Sequence, residues 1–166
     1  MSSAISVRLL DQEDWATYRR VRLDALQEAP YAFGSTYARE LELDEASWRG
    51  RLKNRSTYVA EVDGTIAGTV AAVESDVSGA AALVAMWVDP RYRRQGVGDA
   101  LVKTVIEWAR DHGYDSVFLW VTAVNANAER LYARNGFVRT GASQDVRPGE
   151  LEYEMARKLE RQERLA

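Results

Sequence analysis

Val88-Asp89-Pro90-Arg91-Tyr92-Arg93-Arg94-Gln95-Gly96-Val97-Gly98 is the stretch on which the reading of this chain turns. Ahead of it, Leu83-Val84-Ala85-Met86-Trp87-Val88 reads as an apolar, partly β-branched strand, and Asp89-Pro90 ends that strand because proline has no ladder donor. Behind it a helix is predicted over 97–111, with Leu101, Val102, Val105, Ile106, Trp108 and Ala109 along one face of a 3.6-residue period. Strand, basic glycine loop and helix N-terminus together make an anion-binding device. Glycine lets the backbone approach closely, the first helical amides have no partners, and the helix dipole favours negative charge. A bare Gly-x-Gly would only permit a tight turn, but Arg91, Arg93 and Arg94 crowd a helix start where the dipole disfavours cations. A bound polyanion reverses that penalty. The loop has neither the Gly-Lys-Ser/Thr of a P-loop nor the third glycine of a dinucleotide fingerprint, so the expected ligand is a pyrophosphate in some other setting.

Outward from this loop the chain alternates clear elements. Residues 5–10 read as a strand, Asp11 as an N-cap, and 12–29 as a helix carrying Trp15, Tyr18, Val21, Leu23, Ala25 and Leu26. Pro30 and Gly34 punctuate it. A second helical region over 35–53, broken near Asp44, presents Phe33, Tyr37, Leu41, Leu43, Trp48 and Leu52. A strand over 58–62, an Asp63-Gly64 hairpin turn and a return strand over 66–77 come next, then Ser78-Gly79 and the strand 81–88 that enters the glycine loop. After the long helix, residues 116–121 are nearly continuous apolar, as for a strand buried on both faces. A helix over 126–135 starts at Asn125 and stops at Asn135-Gly136. Strands over 137–144 and 151–159 close the order βααβββαβαββ, a mixed α/β sheet. The expectation is a single domain over 1–166, with its core in 5–159 and a charged tail at 160–166.

Composition excludes several function classes. The chain has 166 residues, 46% hydrophobic and 28% charged, with a formal net charge of −3. That balance argues against nucleic acid as a partner, since the phosphate backbone demands a basic face, and it suits a cationic or amine substrate. With no cysteine, disulfides, thiolate metal sites and a cysteine nucleophile are excluded, and no metal is expected. The single histidine, His112, precedes Gly113 at a helix end and reads as a terminal-turn residue, which removes Ser-His-Asp chemistry. Neither a signal-like N-terminus nor a long apolar run is present, so the expectation is a cytoplasmic protein with no membrane partner.

Two blocks then resemble a known family. Val88-x-Pro90-x-x-Arg93-x-x-Gly96-x-Gly98 is similar to motif A of the GNAT superfamily of N-acetyltransferases, and Asn125-x-x-Ala128-x-x-Leu131-Tyr132-x-x-x-Gly136-Phe137 looks like its motif B. The blocks stand in order and are separated by one helix and one buried strand. The resemblance covers about residues 5–159 and is best over 57–138. It implies the acyl-CoA N-acyltransferase fold: a twisted, mostly antiparallel sheet with a splayed parallel strand pair, flanked by about four helices. It also implies acetyl-CoA as donor and direct acetyl transfer to a primary amine. Arg93 and the backbone of Arg94, Gln95, Gly96, Val97 and Gly98 would then cradle the pyrophosphate. Met86 and Val88 would pair with the pantetheine arm, and Asn125 would contact it, cap its helix, or do both. Tyr132 would be the general acid, since a phenol can hand its proton to a departing thiolate.

The sequence departs from the family at the base. Some members carry a glutamate on the strand before the glycine loop, whereas 82–88 holds no acid here. Glu74 and Glu40 are the candidates, either of them alternatively a solvated surface charge, and deprotonation through ordered water fits equally. Asp99, just after the second glycine, suits a helix N-terminus but not a phosphate, so its side chain is expected to turn away from the donor. Phe33, Tyr37, Trp48 and Tyr153 are candidates for the acceptor site, with Glu40 attracting a cationic amine; core or dimer-interface packing is the other reading of these aromatics. The resemblance implies an N-acetyltransferase, with a small-molecule amine favoured over a protein N-terminus or lysine. A non-catalytic CoA-binding module and a nucleotide-binding regulator are the alternatives. A homodimer is expected from family habit and from tryptophans on helices assigned to the surface.

Overall fold

The computed structural model describes residues 4–160, and the final residues of the expected charged tail lie outside that range. Seven strands form one sheet: β1 (Ile5–Leu9), β2 (Ser56–Val62), β3 (Thr65–Glu74), β4 (Ala80–Val88), β5 (Ser116–Thr122), β6 (Val138–Arg147) and β7 (Glu150–Lys158). Their order is β1-β2-β3-β4-β5-β7-β6, and only β4 and β5 run parallel. The helices are α1 (Trp15–Glu28), α2 (Tyr37–Leu41), α3 (Glu45–Asn54), α4 (Val97–Asp111) and α5 (Ala126–Arg134). This is the mostly antiparallel sheet with one parallel pair that the family resemblance implies. The helical region after Gly34 is interrupted where expected: Asp44 caps α3 by accepting from the Ser47 amide at 2.9 Å, so α2 and α3 are separate helices.

Strand period 2 splits the core between the two faces of the sheet. Ala60 of β2 joins one cluster with Val97, Leu101, Val102, Val105 and Ile106 of α4, while its neighbour Val59 joins Leu10, Tyr18, Trp48 and Leu52 on the side of α1 and α3. α4 lies close over the sheet because position 68 is glycine. A Cβ there would stand 2.7 Å from the Trp87 carbonyl oxygen and 3.1 Å from Leu101 Cδ1. Asp63 (φ 50) and Gly64 (φ 78) turn β2 into β3, the two left-handed residues that a type I′ hairpin demands.

Three expectations are corrected. β3 stops at Glu74 rather than at 77, because the Ser75 hydroxyl accepts from the Val77 amide (3.1 Å) and the Ser75 amide donates to the Ala80 carbonyl (2.9 Å), turning the chain early. β6 runs to Arg147 rather than 144; its polar side chains look like loop, but backbone pairing as far as Arg147↔Glu150 extends the hairpin. Trp48, one of the helical tryptophans assigned to the surface, is instead fully buried, edge-on to Tyr18 at 5.7 Å between ring centroids, whereas Trp15 and Trp108 are half-buried on α1 and α4. His112 does end α4, its Nδ1 2.8 Å from the Trp108 carbonyl oxygen. Among the described residues no helix is long and apolar enough to cross a membrane.

Candidate active site

β4 and β5 pair only at Ala80↔Ser116, Ala81↔Val117 and Ala82↔Phe118. Beyond Ala82 the strands part, and the edge of β4 that faces β5 has no strand partner among the described residues. A register shift against β3 sharpens the divergence. It coincides with Ala85, whose φ of 55 is left-handed, a conformation that costs an L-residue about 1–2 kcal/mol. The gap opens into a cavity of about 470 Å³ whose walls include residues 83–88, Gly96, Gly98, Trp120, Thr122 and Tyr132. Ala29, Tyr31, Ala32 and Phe33, between α1 and α2, also line it.

At the end of β4 the chain makes a 3-10 turn, Pro90–Tyr92, capped by Asp89, whose carboxylate accepts from the Arg91 amide at 2.9 Å. Arg94 (φ 64) and Gly96 (φ 90) are both left-handed. No side chain caps the first turn of α4, so its leading amides open onto the loop. Left-handed residues next to uncapped helical amides form a backbone nest for an anion. Gly98 serves a different purpose: a Cβ there would lie 2.9 Å from Leu131 Cδ2, so glycine lets α5 close against α4.

The loop side chains are less free than the sequence suggests. Arg93 donates from Nε to the Val88 carbonyl at 3.2 Å and from Nη2 to both carboxylate oxygens of Glu28 at 3.0 Å. Its guanidinium braces the loop rather than reaching for a phosphate. Gln95 Nε2 donates to the Arg91 carbonyl at 3.3 Å. Asp99 turns to α5, accepting from Arg134 Nη2 at 3.1 Å and Asn135 Nδ2 at 2.9 Å. Burial pushes its carboxyl up, but these donors outweigh that and hold it below the usual carboxylate range.

Tyr132, on α5, is 5% exposed, lines the cavity and meets Phe137 edge-on at 6.0 Å. Desolvation by burial pushes its phenol well above the ordinary tyrosine value, so it keeps its proton. Asn125 caps α5, accepting from the Ala128 amide at 3.2 Å, and also faces the cavity. Met86 and Val88 lie on the unpaired edge of β4.

Four other candidates are placed elsewhere. Glu40 is neither a solvated charge nor a base: it is 1% exposed, chelated by Arg22 (Nε at 3.0 Å, Nη2 at 3.1 Å) and bonded by Arg51 (2.6 Å). Burial pushes its carboxyl up, but hydrogen bonds and charge from the two arginines prevail and hold it at about 2. It cannot attract an amine into the cavity, which it does not line. Glu74 is paired opposite Ala81, which precedes Met86 by five residues, about 16 Å along a strand, at the closed end of the β4–β5 pair. Tyr153 lies on β7 beneath the Arg139 guanidinium, 3.9 Å from its ring centroid, outside the cavity wall. Tyr37 packs with Phe33 and Trp87 behind that wall, and of the proposed acceptor aromatics only Phe33 lines it. Sequence reasoning misses Glu28, Ala85, Trp120 and Thr122. Glu28 looks like any helix-end acid, and no residue type marks the bulge at Ala85. Among the described residues no group of three or more His, Asp or Glu side chains is placed to hold a metal.

Known proteins resemble this chain in sequence and in fold. The chain is 41% identical over 93 residues to N-acetylaspartate synthetase of Rattus norvegicus, a match that takes in 55% of this chain but 31% of the relative's length. Its fold superposes on an acetyltransferase of the GNAT family from Streptococcus pneumoniae with a TM-score of 0.79, at 21% identity, over 95% of this chain and all of that one. It also superposes on the yncA protein of Salmonella typhimurium, solved with its cofactor acetyl-CoA, with a TM-score of 0.73 at 22% identity over 99% and 98% of the two chains. The sequence profile described as Acetyltransferase (GNAT) family matches residues 15–137, from α1 through the Tyr132 helix, and the chain belongs to that family.

Proposed function

We propose that this protein is an acetyl-CoA-dependent N-acetyltransferase that passes acetyl directly to a primary amine of a small molecule, with both substrates held by one domain. The observation that carries the reading is the parting of β4 from β5 beyond Ala82, above the uncapped N-terminus of α4. The free edge of β4 suits an extended, amide-bearing arm that pairs as a further strand would. The nest at residues 94–98 suits the pyrophosphate at the other end of the same molecule. Bound acetyl-CoA supplies the thioester. Tyr132 holds its proton on Oη and gives it to the sulfur as the C–S bond breaks and the C–N bond forms. Among the described residues the single carboxylate on the cavity wall is Asp99, already paired with Arg134, so water takes the proton from the attacking amine. A small acceptor is favoured because the related N-acetylaspartate synthetase is named for a small product.

The test is to incubate the purified chain with acetyl-CoA and a panel of amino acids, polyamines, aminoglycosides and peptides, following free thiol and product mass. Turnover with a small amine is expected. Peptide acetylation alone would move the acceptor to proteins, and tight acetyl-CoA binding without turnover would make the chain a CoA-binding module. Tyr132→Phe should lower kcat about 10²- to 10³-fold with acetyl-CoA affinity unchanged; a large loss of affinity instead would assign Tyr132 to holding the donor.

A further inference from the structure

We propose that Glu28 is a positioning residue that joins the donor loop to the acceptor-facing wall, so that binding of acetyl-CoA orders residues 29–36; this rests on the acetyltransferase reading above. Glu28 is the last residue of α1. Its carboxylate accepts from Trp87 Nε1 at 2.8 Å and from Arg93 Nη2 at 3.0 Å to both oxygens. One side chain thus ties the end of a helix to the strand and to the loop that bind the donor.

The segment just after Glu28 lines the same cavity as β4, through Ala29, Tyr31, Ala32 and Phe33. Few bonds hold that segment. A single 3-10 turn closes with the Ala32 amide on the Ala29 carbonyl at 3.0 Å, and Arg147 donates from Nη1 to the Phe33 carbonyl at 2.8 Å and from Nη2 to the Pro30 carbonyl at 3.5 Å. Phe33 is also braced from behind by Arg22, 4.7 Å from its ring centroid. A segment with so little internal bonding takes its position from its anchors. At its N-terminal end these are the buried Ala29, whose amide donates to the Ala25 carbonyl at 2.9 Å, and the side chain of Glu28.

Arg93 transmits the state of the loop. Its Nε is bonded to the Val88 carbonyl, and the next residue, Arg94, is the left-handed start of the nest. A pyrophosphate seated on the nest fixes the backbone at 93–98. That fixes where the Arg93 guanidinium stands, and so holds Glu28 and the residues after it. The side chains of Arg93 and Glu28 are 44% and 29% exposed, so the pair is worth little as static stabilisation. Its value is in placement, and its carboxylate, already engaged by Trp87 and Arg93, is not a base.

Hydrogen–deuterium exchange of the full chain with and without saturating acetyl-CoA tests this without an acceptor. In the wild type, acetyl-CoA should slow exchange at 93–99 and also, at least about fivefold, at 29–36. In Glu28→Gln the protection at 93–99 should persist while that at 29–36 falls below about twofold. A merely structural Glu28 would raise exchange at 29–36 equally with and without acetyl-CoA, leaving their ratio as in the wild type, and that result overturns the proposal. If the wild type shows no protection at 93–99, the donor does not bind, and the acetyltransferase reading falls together with this one.

Discussion

One side of the cavity runs through a contiguous stretch, residues 83–98, and is written in backbone: an unpaired strand edge, a left-handed Ala85, Arg94 and Gly96, and an uncapped helix. The other side, Ala29–Phe33, is held by side chains scattered over the chain: Glu28 on Trp87 and Arg93, Arg147 on the Phe33 carbonyl, and Arg22 beneath Phe33 with Glu40 and Arg51 behind it. A backbone site recognises a group common to many acceptor reactions and tolerates change in the side chains around it. A side-chain scaffold can be re-cut position by position, which suits the half of the site that must differ from one acceptor to the next.

The largest effect should come from the scaffold of the second wall. Glu40 is buried between two arginines, and replacing it by glutamine leaves both guanidiniums without their counter-charge. Glu40→Gln should cost about 3–5 kcal/mol in urea unfolding, while acetyl-CoA affinity of the folded protein stays at the wild-type value. The pH dependence has a definite sign. Burial alone would raise this carboxyl, but the arginines hold it at about 2 against 4.5 for an unperturbed glutamate. A carboxyl depressed on folding stabilises fully above its unfolded value. On the order of 3 kcal/mol should therefore be present above pH 4.5 and vanish as pH falls toward 2. Unfolding curves of wild type and Glu40→Gln that converge over this window would support the assignment; a constant gap between them would break it. A fall in donor affinity would show the two walls to be less separate than their construction suggests.

The donor wall should respond in the opposite way. Gly96 has φ 90, and a Cβ there would make only an ordinary contact, 3.7 Å from Ile5 Cδ1. Gly96→Ala is therefore a conformational insult and not a steric one, worth about 1–2 kcal/mol. If the loop relaxes to relieve it, the nest amides diverge, and acetyl-CoA affinity should drop about tenfold by calorimetry with little change in Tm. A Tm loss with intact affinity would mean that the loop keeps its shape and the fold absorbs the strain.

The same contrast explains what is legible in the sequence. Gly96, Gly98, Asn125 and Tyr132 lie in two short blocks, and their element types come from strand composition, helical period and capping residues. The order of elements comes with them, the splayed parallel pair follows from the family resemblance, and the strand order in the sheet comes from the structure. Glu40 escapes a sequence reading because its burial depends on Arg22 and Arg51, 18 and 11 residues away, and local pattern carries no trace of that meeting. Glu28 escapes for the same reason, its partners lying 59 and 65 residues on. Tyr153 has an apolar ring on the right strand, but Arg139 covers it. Glu74 fails on register: the strand is right, but the residue stands at its closed end. Local rules reach backbone sites and fall short of sites assembled by distant side chains.

Asp99 sharpens the comparison from within, being a side chain set into the backbone-built wall. It stands in the first turn of α4, where the dipole favours an acid, yet a pyrophosphate in the nest would face its charge. Its bonds to Arg134 and Asn135 spend that charge on α5. Asp99→Asn removes the repulsion and releases Arg134 toward the donor, at the loss of a half-exposed ion pair and a favourable dipole contact. Stability should fall by about 0.5 kcal/mol. Acetyl-CoA affinity should rise about two- to fivefold at low ionic strength and return to the wild-type value near about 0.5 M salt, where charges separated by more than a few ångströms are screened. Weaker donor binding at every salt concentration would instead mean that the Asp99–Arg134 clamp is what holds the helix start in its binding shape. The donor wall would then depend on a side chain after all, and its likeness to the acceptor wall would be closer than the backbone alone reveals.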